Sequence, residues 1–289
     1  MTAFSIFSTL DKDETYSPGR AGIPDKLPAG GSVLSYSDFE QGFDGWDQHY
    51  GGFLPNVPIG RTSRRSMFGN YGMLLSAGER PYQANVAPNK QIDNGTTAYK
   101  RMALYDDDWT TLSLSMFYTI LGSEVLSYSA ISMAFDIQAW DNSDRGHFRV
   151  ELADAGTTDA TLPRWKIHKN DASVVTIPSS TGAVTGENEN KGGTNFARLT
   201  ISRTPLTGST HNGGAQDTIG SYSEFQSNNK VYDLSALGGG QGWQDPQDGD
   251  PIGDYRGGCN PGIGMYRSTR KPAAIPGLIV DAAWVTVEK

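Results

Sequence analysis

The sequence predicts an all-β protein, a two-sheet antiparallel sandwich with long loops and an extended N-terminal arm. Three observations predict it. Apolar and polar residues alternate in many short segments, the signature of half-buried strands. No segment longer than two turns carries apolar residues at i, i+3, i+4 and i+7. The 35 glycines and 15 prolines among 289 residues supply turns between the segments. A chain of this length encloses a full core, and sandwiches of this size often form one unit. No internal repeat or sharp composition break divides it.

Residues 1–32 read as an arm, because Pro18, Pro24 and Pro28 with Gly30 and Gly31 set turns and extended pieces without a period. A loose terminus and an arm docking on a neighbouring subunit through Phe4, Ile6 and Phe7 both fit. Alternation begins at Val33 and defines a sandwich over 33–289. Strands are expected over 33–40, 71–77, 97–105 and 111–117, where Leu112, Leu114 and Met116 share a face. Ile131, Met133, Phe135 and Ile137 repeat the pattern, as do Phe148, Val150 and Leu152, and then Trp165 with Ile167. Further strands follow at 172–177, 196–202, 231–234 and 278–287. Residues 203–228 and 235–277 are polar and rich in Gly and Pro, and they read as loops that are functional or covered by a partner.

A net charge of −8 with no basic block argues against a nucleic-acid partner, which would need cations to neutralise phosphates. Cys259 is the single cysteine, so no internal disulfide forms. The start lacks a basic segment, and Asp11, Asp13 and Glu14 interrupt its apolar character before a signal-peptide core develops. No run reaches the roughly 18 apolar residues of a membrane span. The expectation is a chain made and folded in a cytoplasm.

Two segments carry a resemblance. Asp38-Phe39-Glu40-Gln41-Gly42-Phe43-Asp44-Gly45-Trp46 resembles the opening of jelly-roll carbohydrate-binding modules. Ile279-Val280-Asp281-Ala282-Ala283-Trp284-Val285-Thr286-Val287 resembles the last strand of such modules and of concanavalin A-like sandwiches. The resemblance implies a jelly roll whose first and last strands lie together. It also implies a structural calcium held by Glu40 and Asp281 with backbone carbonyls, oxygen ligands that suit a hard cation. The residues by themselves also allow Glu40 to cap the turn and Asp281 to face solvent. A bridge-free sandwich rich in Gly, Ser, Thr and Asn, with an N-terminal arm, is similar in style to minor tail and decoration proteins of tailed phages. That likeness implies a place in a virion assembled in the host cytoplasm, with virion subunits as partners; a cytoplasmic protein is the alternative.

The chemistry gathers on three consecutive strands, on the face opposite the apolar one. That face carries Asp136, Gln138 and Trp140, then His147, Arg149 and Glu151, then Arg164, Lys166 and His168. A hairpin turn over 141–145 predicts the rows Trp140/His147/His168, Gln138/Arg149/Lys166 and Asp136/Glu151/Arg164, with Arg164 relieving the two facing carboxylates. A solvated outer surface accounts for these charges. So does a concave binding surface on which Trp140 stacks a sugar ring while the polar residues bond its hydroxyls. A third reading is enzymatic: jelly-roll polysaccharide lyases carry His, Gln, Arg and Tyr on such a sheet, and a histidine is suited to general-base work. The Tyr-Phe-Lys-x-Gly-x-Tyr strand of those lyases is absent, as is the Glu-x-Asp-x-x-Glu of retaining glycosidases.

Other candidates are weaker. Cys259 has no positioned histidine, and the four histidines lack zinc spacing. Asp245, Asp248, Asp250 and Asp254 lack the distal Glu of a calcium loop. Trp46, Tyr50, Trp243, Tyr255 and Tyr266 read as loop aromatics that anchor a ligand or plug the core ends. The residues point first to a non-catalytic sandwich that binds a glycan or a neighbouring subunit. The alternative is a lyase-like enzyme using His, Arg and Gln of the same sheet, and a purely structural subunit without ligand is a third.

Overall fold

A computed structural model describes residues 31–48, 59–63, 69–76, 95–103, 109–121, 129–138, 145–153, 164–169, 174–177, 194–203, 220–228, 230–237, 241–242, 258–267 and 277–289. Residues 1–30 of the expected N-terminal arm lie outside them. The described strands in chain order are β1 (Ser32–Ser37), β2 (Trp46–Gln48), β3 (Gly60–Thr62), β4 (Gly72–Ser76), β5 (Gly95–Lys100), β6 (Met102–Ala103), β7 (Thr111–Leu121), β8 (Ser129–Gln138) and β9 (Arg145–Ala153). They continue as β10 (Arg164–His168), β11 (Val174–Thr176), β12 (Thr194–Arg203), β13 (Gly220–Ser227), β14 (Lys230–Asp233), β15 (Gln241–Gly242), β16 (Gly258–Arg267) and β17 (Gly277–Glu288).

They form two antiparallel sheets. Sheet 1 runs β14-β13-β12-β7-β17-β4-β3, with β1 also on β17. Sheet 2 runs β11-β10-β9-β8-β16-β5-β2, with β15 on β9 and β6 on β16. The chain is an all-β jelly-roll sandwich, and its first described strand pairs with its last as the resemblance implied, Tyr36 standing opposite Trp284.

The core follows from period two. Leu112, Leu114, Met116 and Tyr118 of β7 meet Ile131, Met133, Phe135 and Ile137 of β8 and Phe148, Val150 and Leu152 of β9 in one continuous cluster between the sheets. Burying each large apolar side chain stabilises the fold by roughly 1.5–3 kcal/mol. The opening motif turns Phe39 and Trp46 into the same cluster. Trp46 is therefore a core residue rather than a loop anchor, and its indole N–H donates to Ser37 Oγ at 3.0 Å. Phe39 takes a left-handed backbone (φ 60°), which its burial and the bond from its N–H to Asp44 Oδ2 hold in place.

Three described strands run where loops were expected: β13, the two-residue β15 and β16. β13 carries Tyr222 and Phe225 into the core. β16, Gly258-Cys259-Asn260-Pro261-Gly262-Ile263-Gly264-Met265-Tyr266-Arg267, lies in the middle of sheet 2 between β8 and β5. A proline is unusual in a central strand because it cannot donate to the ladder. Pro261 is accommodated because β16 pairs β6 through Cys259 and β5 from Gly262 onward, so the ladder on that side is already interrupted at Asn260 and Pro261.

Phe135, fully buried opposite Phe148, is a direct test of this packing. Phe135→Ala is expected to lower unfolding free energy by about 3–5 kcal/mol in urea titrations. Val174→Ala, at a half-exposed position, is expected to change it by less than about 0.5 kcal/mol.

Candidate functional site

The outward face of sheet 2 is built around strands with little side chain. On β16 the outward positions are Gly258, Asn260, Gly262 and Gly264, and all are buried. Register places Ala134 beside Gly262 and Ser132 beside Gly264 on β8. The two central strands thus make a floor of glycine, alanine and serine. On one side Tyr99 of β5 stands opposite Gly262, and a Cβ on that glycine would lie 2.5 Å from the tyrosine Cε1. A glycine is required there to let the ring lie against the backbone. On the other side β9 and β10 raise a wall of long polar side chains.

That wall is an ion-paired cluster. Arg149 and Glu151, two apart on β9 and so on one face, are joined by a 2.6 Å bond from Nη2 to Oε2. The same oxygen lies 3.2 Å from His168 Nε2. Burial alone would raise the Glu151 carboxyl, but the Arg149 guanidinium, the hydrogen bond and charge of His168, and Lys166 outweigh it and hold the carboxyl at about 2.

Asp136, His147, Arg149, Glu151, Lys166 and His168 share this face, but in other rows than the sequence predicts. Asp136 stands opposite His147 and Glu151 opposite Ser132, so the two carboxylates do not face each other. Arg149 stands opposite Ala134 on one side and His168 on the other, and Lys166 stands opposite Glu151. The observed rows are Asn260/Asp136/His147, Gly262/Ala134/Arg149/His168 and Gly264/Ser132/Glu151/Lys166. Gln138 pairs Arg145, and Arg164 pairs Ala153, at the strand ends. Trp140 lies outside the described residues, as do Tyr50, Trp243, Tyr255 and the four aspartates between 245 and 254.

Sequence reasoning missed Tyr99, Asn260 and the glycine floor. Tyr99 was legible as an outward residue of an expected strand, since Ala98 faces the core. Asn260 is 5% exposed, and its Nδ2 has no hydrogen-bond partner among the described residues. Cys259, its neighbour, points into the core, where burial and the nearby Asp136 push its thiol far above the usual range, so it is no nucleophile.

Glu40 and Asp281 stand at opposite ends of the segment 69–72. Glu40 Oε1 accepts the N–H groups of Asn70 (2.6 Å) and Tyr71 (2.8 Å), the capping role the residues allowed. Asp281 does not face solvent; it is fully buried at a β-bulge between Val280 and Ala282. A Cβ on Gly72 would come within 3.2 Å of Asp281 Oδ1 and 3.0 Å of the Val280 carbonyl oxygen. Carboxylate and carbonyl oxygens in this segment fit a hard cation in kind. No cluster of three or more His, Cys, Asp or Glu side chains occurs among the described residues.

No protein-family description and no curated sequence matches the chain. Solved structures do. A cellulose-induced protein superposes with a TM-score of 0.50 at 10% identity, over 87% of this chain and 96% of the other. An alginate lyase from Chlorella virus superposes with a TM-score of 0.50 at 8% identity, over 89% of this chain and 100% of the other. At such identities the likeness establishes the fold.

The depressed Glu151 carboxyl makes a pH prediction. Its pairing stabilises the fold fully above its ordinary value of 4.5, and that stability is lost as pH falls from there through about 2. Urea midpoints measured across this window are expected to fall more steeply for the native chain than for Glu151→Gln. Parallel curves would contradict the pairing.

Proposed function

We propose that the chain recognises a glycan on the outward face of sheet 2, without catalysis. The observation that carries the reading is the floor of Gly258, Gly262, Gly264, Ser132 and Ala134 between Tyr99 and the Arg149–Glu151–His168 cluster. A floor without side chains lets a flat ring approach the backbone, an aromatic edge offers a stacking surface, and fixed polar groups select hydroxyls. The buried amide of Asn260 adds a donor at one end. The basic members, Arg149, Lys166 and His168, favour a sugar bearing carboxylate, since guanidinium matches carboxylate in geometry and charge.

Calorimetry with neutral and uronate-bearing oligosaccharides tests this. Tyr99→Ala and Arg149→Ala are each expected to weaken binding about tenfold or more, or roughly 1.4 kcal/mol. Arg198→Ala, on sheet 1, should leave it unchanged. Absence of binding to every sugar would leave a neighbouring subunit as the ligand of this face.

A uronate-cleaving enzyme is the second reading, favoured by the cross-strand placement of His147 beside Asp136 and near Arg149. One of the superposed folds is an alginate lyase. An ultraviolet assay for unsaturated uronate decides: product lost in His147→Ala would replace the non-catalytic reading.

A structural calcium belongs to the same proposal, with Glu40, Asp281 and backbone carbonyls as the ligands that the resemblance implies. Chelator is expected to lower the melting temperature of the native chain and not of Asp281→Asn; no shift removes the metal. Placement in a phage particle, beside virion subunits, rests on the arm and on composition, and detection of the chain in purified virions would test it.

A further inference from the structure

The cluster on β9 and β10 is fixed from beneath by a residue of the opposite sheet. Tyr222 belongs to β13 of sheet 1, yet its side chain crosses the core and its hydroxyl reaches the backbone of sheet 2. Tyr222 Oη accepts the N–H of Arg149 at 2.8 Å and donates to the carbonyl of His168 at 2.7 Å, with the Arg149 carbonyl at 3.1 Å. Arg149 and His168 are register partners, and His168 is the last residue of β10. One phenol therefore bonds both strands at the open end of their ladder, where their pairing stops.

The hydroxyl is used both ways, accepting a hydrogen bond from the Arg149 N–H and donating its own toward the carbonyls, which fixes its orientation. The ring is fixed too: it is 1% exposed and packs edge-on against Phe148 at 5.3 Å between centroids. Burial raises the phenol well above its ordinary value, so it stays protonated and keeps its donor at any working pH. A core apolar residue would fill the same space without these bonds, and the Arg149 N–H and the His168 carbonyl would lose the partner that Tyr222 gives them.

We infer that Tyr222 is the positioning residue of the site, holding the backbones of Arg149 and His168 together so that both side chains converge on Glu151. The inference rests on the glycan-binding reading for its function, though not for its geometry.

Tyr222→Phe keeps the ring and removes the bridge. Carbon-detected NMR titration of the Glu151 carboxyl in the full chain is expected to show it rising by about one unit as its cationic partners separate. A ring that merely fills the core would leave that titration unchanged, and an unchanged value overturns the inference. Affinity for a uronate oligosaccharide is expected to fall about tenfold in the variant. If the native chain binds no sugar, the binding proposal fails while the carboxyl titration still decides the role of Tyr222. Should Tyr222→Phe fail to fold, hydrogen exchange of the Arg149 amide in the native chain decides instead. Strong protection is expected, and rapid exchange overturns the bridge.

Discussion

A strand in the middle of a sheet must give its backbone to neighbours on both sides, and β16 does so while carrying almost nothing on its outward face. The site depends on this constraint. With Gly258, Gly262 and Gly264 at the outward positions, the centre of the sheet carries little side chain, and Tyr99 can lie against the backbone rather than against a neighbouring side chain. The inward positions, Cys259, Ile263 and Met265, still supply the core. One strand thus supplies the core on one face and leaves the other almost without side chains, and period two is what lets it do both.

The polar wall beside this floor is held by a different principle. A carboxylate as enclosed as that of Glu151 would be unstable alone, and its ionisation depends on Arg149, His168 and Lys166 all facing it. Two of these come from β10 and one from β9, so the charge balance requires the two strands to keep their register. Tyr222 supplies that from sheet 1, which makes the distance between the sheets part of the geometry of the surface. Packing in the interior and charge on the exterior are in this sense one structure.

The faces of the strands were legible in the sequence and the rows were not. Alternation over 112–116, 131–137 and 148–152 assigned inward and outward residues correctly. Alternation is blind to a slip by an even number of residues, and both registers slipped evenly. Asp136 met His147 instead of Glu151, and Lys166 met Glu151 where Arg164 was expected. Only the turns fix such offsets, and turn chemistry leaves several lengths open. β13 was hidden by its bulge: Ser223 is the extra residue between Tyr222 and Glu224, so Tyr222 and Phe225 face the core three positions apart. β16 was hidden because glycine and proline are depleted in strands, and the residues that make the floor also make the segment read as loop.

Chemical-shift mapping by NMR during titration with a uronate oligosaccharide tests the central claim most directly. Perturbations are expected to gather at Tyr99, Ala134, Arg149, His168 and Gly262, across the glycine-rich centre of sheet 2. Perturbations confined to the outward face of sheet 1, around Arg198 and Glu224, would contradict it.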